Sequence, residues 1–175
     1  DGFIVLYSRV DDPVIDFLFN EGLLYILIGK PAQYTNHTIY IDNDNLLAGQ
    51  EATEYLYALG HRKIAYLGVE DSLVFSADRK TGYLAALAGH GLTIRPEYCI
   101  EVPDASQREF QQLRTLLSGD DRPTAMLVSD DILALSLERI CMEAGISIPE
   151  DLSIISFNNS LFARLTSPQL TSIDI

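Results

Sequence analysis

Polar side chains in this sequence gather where apolar runs stop. Ser8 and Arg9 follow "FIVLY", Gly29, Lys30 and Pro31 follow "LYILI", and "AYLGV" opens into "EDSLVFSADR", a loop feeding a helix with Arg79 in its first turn. Pro103, Asp104 and Ala105 follow "CIEV", Ser129, Asp130 and Asp131 follow "AMLV", and Asn158 and Asn159 follow "SIISF". Amides both donate and accept, carboxylates accept, and guanidinium and ammonium groups donate, so this set suits a neutral ligand rich in hydroxyls. Phe75 and Tyr7 add flat apolar faces of the kind that pack on the apolar side of a sugar ring. The candidate contacts are Ser8, Lys30, Phe75, Arg79, Asp104, Asp130 and Asn158.

Each has a plainer reading beside it. Asp131 reads as the cap of the helix that follows it, and Asp130 shares that option. Asn159 reads as a turn residue. Arg79 has Asp78 and Glu101 as surface partners to choose from, and Lys30 suits solvent as well as a site.

Catalytic signatures are missing. The chain has no Gly-x-Ser-x-Gly elbow, no Walker loop and no Gly-x-Gly-x-x-Gly after its first strand. Its three histidines lack metal-ligand spacing; His61 begins a turn and His90 sits between two glycines. Neither has an identifiable nucleophile or orienting acid. Binding without catalysis, metal or cofactor is the expectation.

Eight apolar runs of strand length must position these groups: residues 2–7, 23–29, 38–41, 63–69, 98–102, 125–129, 153–157 and 170–175. Most are apolar on both faces, as strands of a covered parallel sheet are. Segments of helical period lie between them. Leu47, Ala48, Ala52, Tyr55, Leu56 and Leu59 form a stripe that Gly60 closes, and Leu133, Leu137, Ile140, Cys141 and Ala144 form another that Gly145 closes. Asp12-Pro13 reads as a cap with proline in the first helical position, and residues 106–117 as a more polar surface helix. Alternating strands and helices give an α/β fold with parallel sheets, and ligands bind outside the carboxyl ends of such strands.

The formal charge is −13 with only 12 Lys plus Arg, which argues against these residues wrapping nucleic acid or lying on an anionic membrane. No apolar run approaches a membrane span. Cys99 and Cys141 read as reduced core residues of a cytoplasmic protein.

"LGHRKIAYLG", "ADRKTGYLAAL", "RPTAMLVSDDILAL", "GISIPEDLSIISFNN" and "SPQLTSIDI" stand in collinear order over essentially the whole chain. With "DGFIVL" and "IDNDNLLAG" they resemble the effector-sensing domain of lac repressor family (LacI/GalR type) transcription regulators. "LIGKP" and "SFNNS" look further like the maltose-operon regulators of that family. The resemblance implies a two-lobed, periplasmic-binding-protein-like fold of type I, truncated at both ends. Residues 1–60 would form most of the N-terminal lobe, 61–169 the C-terminal lobe, and 170–175 a strand returning to the first, with crossovers near Gly60-His61 and Pro168–Leu170.

It also implies roles. Arg79 matches an arginine that clamps effector hydroxyls or carboxylate. Asp130 matches a strand-end polar contact, and Asn158 stands where many members carry aspartate. Lys30 matches a basic or aromatic contact beside Gly29, which replaces a frequent acid. Phe75 and Asp104 would line the cleft. The loss of two acids from the pocket fits a neutral oligosaccharide such as maltose or a related α-glucoside. The implied partners are this sugar, operator DNA through an N-terminal headpiece outside the sequence, a second copy in a homodimer, and a phosphorylated protein co-effector; no membrane is among them. A periplasmic or lipid-anchored sugar-binding protein serving transport is the rival of the same architecture.

Overall fold

The computed structural model describes residues 1–102 and 107–175. A first unit comprises β1 (Phe3–Leu6), α1 (Pro13–Asn20), β2 (Tyr25–Ile28) and β3 (Ile39–Ile41). After it come α2 (Asn45–Ala58), β4 (Ile64–Gly68), α3 (Val74–Gly89), β5 (Cys99–Glu101) and α4 (Gln107–Ser118). The chain ends with β6 (Ala125–Val128), α5 (Asp131–Ala144), β7 (Ser153–Phe157), α6 (Leu161–Leu165) and β8 (Thr171–Ile173). Every apolar run singled out in the sequence holds one of these strands. The strands make a three-stranded sheet, β1-β2-β3, and a five-stranded sheet, β5-β4-β6-β7-β8, and all pairings are parallel.

Burial explains the unbroken apolar runs. β4 and β6 are buried along their whole length because helices cover both faces of the larger sheet. Ala65, Leu67, Met126 and Val128 pack against Leu113 and Leu117 of α4 and Leu137 and Ile140 of α5. Ile64, Tyr66, Leu127 and Phe157 face the other way, onto Ala52 and Leu56 of α2 and Tyr83 and Leu87 of α3. In the smaller sheet Tyr25 and Leu27 pack on Ile15 and Leu18 of α1, while Ile4, Leu6, Ile26, Ile28, Ile39 and Ile41 stay exposed on the opposite face.

Local signals act as their chemistry requires. Asp12 caps α1 by accepting the Val14 N–H at 3.0 Å, with Pro13 in the first turn. Gly145 ends α5 at φ +70, the left-handed region that glycine enters freely.

Three placements differ from expectation. Helix α2 does not join the smaller sheet: its buried face, Asn45, Gly49, Ala52, Thr53 and Leu56, lies on α3 and the larger sheet, whereas Leu47, Tyr55 and Leu59 of the expected stripe are exposed. Gly49 and Gly82 permit the close contact with α3. A Cβ on Gly82 would overlap the Leu46 carbonyl oxygen, and one on Gly49 the Arg79 carbonyl oxygen, so only glycine lets the helices approach on this face. The chain therefore leaves the smaller sheet between β3 and α2, at residues 42–44, ahead of Gly60-His61.

The final strand does not return to the smaller sheet either. β8 pairs with β7 in the register Ile155↔Thr171 and Phe157↔Ile173, and the Asn158 N–H extends the ladder to the Ile173 carbonyl at 2.9 Å. Third, Arg79 sits in the second turn of α3, not the first, because the helix begins at Val74.

Candidate binding cleft

Residues at the carboxyl ends of both sheets line one cavity of about 1000 Å³. Ser8, Lys30, Phe75, Arg79, Asp130 and Asn158 all line it, and Asp104 lies outside the described residues. A second cavity, about 780 Å³, lies between β5 and α4 at the outer edge of the larger sheet, and none of the candidate contacts borders it.

Arg79 is the deepest charge in the cleft, with 3% of its surface exposed. Its Nε donates to Asn45 Oδ1 at 2.9 Å and one Nη1 hydrogen goes to the Ser129 carbonyl at 2.5 Å. The guanidinium carbon stands 4.2 Å from the Phe157 ring centroid and 5.0 Å from that of Phe75. Of its five N–H groups, those not held this way are left for a ligand. Burial lowers its pKa to about 10, against the pull of nearby Asp130, Asp42 and Asp131, so it stays charged at neutral pH. The surface partners offered by the sequence go elsewhere: Asp78 pairs with Lys30 at 3.3 Å, and Glu101 with Lys80.

The helix cap falls to Asp130 and not to Asp131, and Asp130 also borders the cavity. Asp130 is the cap of α5, its Oδ1 accepting the Leu133 N–H at 2.8 Å, and its other oxygen has no protein partner among the described residues. Asp131 is buried, and it accepts from the Ser156 hydroxyl at 2.5 Å, the Ser172 hydroxyl at 2.7 Å and the Ser160 N–H at 2.7 Å. It thereby ties β7, β8 and the start of α6 together under the two asparagines.

Both asparagines adopt positive φ, +97 at Asn158 and +42 at Asn159, a region that asparagine tolerates better than most side chains. Asn159 is a turn residue, as expected, and its side chain accepts from Arg164 Nε at 3.2 Å. The exposed Asn158 amide borders the cavity and has no protein partner among the described residues.

On the smaller sheet, Ser8 is buried and its hydroxyl donates to the Lys30 carbonyl, which orders the loop after β2. Half of the Lys30 side chain is exposed. Two backbone hydrogen bonds join the sheets at the cavity rim, Val10 N to Ser72 O at 2.8 Å and Val74 N to Ser8 O at 3.2 Å, beside an ion pair of Arg9 with Glu70.

Sequence reasoning missed Asp42, Asn43 and Asn45, which follow β3 and also line the cavity. The strand-end rule finds them once "TIYI" is treated like the other strands. No histidine or cysteine is among the described residues that border the cavity. No cluster of metal-ligating side chains occurs among the described residues, and none of their helices is long and apolar enough to cross a membrane.

A cleft at the carboxyl ends of two parallel sheets, crossed by polar contacts from both, defines a ligand-binding module. Residues 53–175 match the periplasmic binding protein-like domain, so the chain belongs to that family. The HTH-type transcriptional regulator MalR of Staphylococcus xylosus is 34% identical over 178 residues, which cover 100% of this chain and 51% of that protein. A putative LacI transcriptional regulator from Bacillus cereus subsp. cytotoxis NVH 391-98 superposes with a TM-score of 0.93 at 35% identity, over 99% of this chain and 62% of that one. The transcriptional regulator CelR in complex with cellobiose superposes with a TM-score of 0.87 at 26% identity, over 100% of this chain and 54% of that one. The likeness is thus to the effector domains of LacI-type regulators. The chain spans about half the length of the curated relatives it matches.

Proposed function

We propose that this chain is the effector-sensing part of a sugar-responsive, DNA-binding transcription regulator, and that its effector is maltose or a related α-glucoside. The observation that carries this is the cleft: buried Arg79, Asn158 and the open oxygen of Asp130 on one side, Lys30 and the Ser8 loop on the other, around a space of about 1000 Å³. Donors and acceptors are mixed and aromatic faces are at hand, which suits a neutral polyol better than an anion. The likeness to MalR and to a cellobiose-bound regulator supports the sugar class and favours sensing over transport.

The two sheets act as lobes that swing about the connection at residues 42–44. Sugar binding shifts the balance between lobe arrangements to the extent that it binds them differently. Operator binding through a headpiece, a homodimer, a phosphorylated protein co-effector and a cytoplasmic location belong to the same proposal.

Thermal unfolding of the full-length protein against a panel of mono- and disaccharides tests it. Maltose at one hundred times its Kd stabilises the native state by about 2.7 kcal/mol. A folded protein that no sugar stabilises would remove the reading.

A further inference from the structure

Tyr7 is held in an uncommon backbone conformation although its side chain stays largely exposed. Its φ is +67, which is uncommon for a bulky aromatic residue and marks a position kept by something other than local preference. Tyr34 shares the conformation at φ +56, but there the ring stacks on Phe19 at 3.9 Å and the hydroxyl donates to Asp16 at 2.8 Å. Tyr7 has neither: 63% of its surface is exposed and its hydroxyl has no partner among the described residues.

What the conformation achieves is placement. The Tyr7 ring lies on the cavity wall 6.0 Å from Phe75, at an interplanar angle of 49°. The two residues come from different sheets, and the rim hydrogen bonds between Ser8–Val10 and Ser72–Val74 set their spacing. A row of flat groups results. It starts at buried Phe157, passes through the Arg79 guanidinium and half-buried Phe75, and ends at exposed Tyr7. A cavity of about 1000 Å³ stands at the upper end of the usual range for small-molecule sites and has room for more than one sugar ring.

We propose that Tyr7 and Phe75 form an aromatic corner that packs on the second ring of a disaccharide, making Tyr7 the residue that selects a disaccharide over a single sugar. This rests on the sugar-sensing reading above. The first ring lies inward, among Arg79, Asp130 and Asn158, and the second lies outward along the row. Aromatic faces recognise the C–H face of a pyranose, so the contact needs the ring of Tyr7 and not its hydroxyl.

Calorimetric titration of the full-length protein with maltose and with D-glucose tests the assignment, using Tyr7→Gly and Tyr7→Phe. Glycine accepts the left-handed backbone, so the fold is kept while the ring is lost. Tyr7→Gly should bind maltose about tenfold more weakly, Tyr7→Phe should stay within about twofold of the unmutated protein, and any glucose affinity should be unchanged in both. A Tyr7→Gly protein that binds maltose as well as the unmutated one overturns the corner, as does an equal loss for both sugars. Absence of binding by the unmutated protein to either sugar overturns the sugar reading itself, and the corner with it.

Discussion

Arg79 is aimed by Asn45: its Nε donates to the Asn45 amide oxygen at 2.9 Å, and both residues are buried. The connection continues, since Asn45 Nδ2 donates to Asp42 Oδ1 at 3.1 Å and Asp42 Oδ2 accepts the Lys30 N–H at 3.0 Å. A guanidinium on α3 is thus coupled through two side chains to the loop after β2.

Replacing Asn45 with alanine leaves the Arg79 Nε–H without its acceptor and frees the guanidinium to turn. Effector binding should weaken by about 1–2 kcal/mol, because a buried donor left unpaired costs that much and its direction is lost. Calorimetric titration measures it, alongside thermal unfolding to show that the variant is folded. Unchanged affinity would mean that Arg79 holds its position through the Ser129 carbonyl and the aromatic rings alone.

Asn158 combines an unusual backbone with a free amide, and two substitutions separate these roles. Asn158→Gly keeps φ at +97 without strain and removes the amide, whereas Asn158→Ala removes the amide and also adds about 1–2 kcal/mol of strain. Both should bind effector about 1–3 kcal/mol more weakly, and only the alanine variant should melt earlier. Two variants that titrate like the unmutated protein would remove Asn158 from the ligand shell.

Much of this arrangement was legible in the sequence. Runs such as "AMLV" and "SIISF" are apolar on both faces because helices cover both sides of their sheet, and Asp12-Pro13 and Gly145 announce helix ends through local chemistry. The strand-end rule brought six candidate contacts to one cavity. What stayed hidden depends on contacts distant in sequence. Hydrophobic periodicity put Ala52 and Leu56 on the buried face of α2 but added Leu47, Tyr55 and Leu59 to it, since it scores side chains and overlooks a glycine whose value lies in close backbone approach. "SDD" offers two adjacent carboxylates, and the buried one is marked by donors distant in sequence, the hydroxyls of Ser156 and Ser172 and the Ser160 N–H.

Gly82 gives that close approach its test. Gly82→Ala drives a methyl group into the Leu46 carbonyl, so α2 and α3 must separate at a cost of about 1–3 kcal/mol. Gly89→Ala is the control. That glycine also lies in α3, but nothing stands within 4 Å of an added Cβ, and the change should be neutral or slightly stabilising. Denaturant unfolding compares the two, and equal stabilities would show that α2 yields without loss.

Asp131 gives the larger sheet an acid-sensitive link. Burial pushes its carboxyl upward, but the hydrogen bonds from Ser156, Ser172 and Ser160 prevail and hold it below the ordinary 3.8. A carboxyl with a depressed folded value stabilises the fold fully above its unfolded value and loses that contribution as pH falls through the folded one. Asp131→Asn keeps one acceptor but lacks the charge that holds three donors, and should be less stable at neutral pH by about 1–3 kcal/mol. The difference from the unmutated protein should narrow as pH falls below about 3.8, where the native carboxyl itself takes up a proton. Chemical unfolding at a series of pH values between neutrality and strong acid measures this. A difference that stays constant across that range would show that the charge of Asp131 adds nothing to its hydrogen bonds.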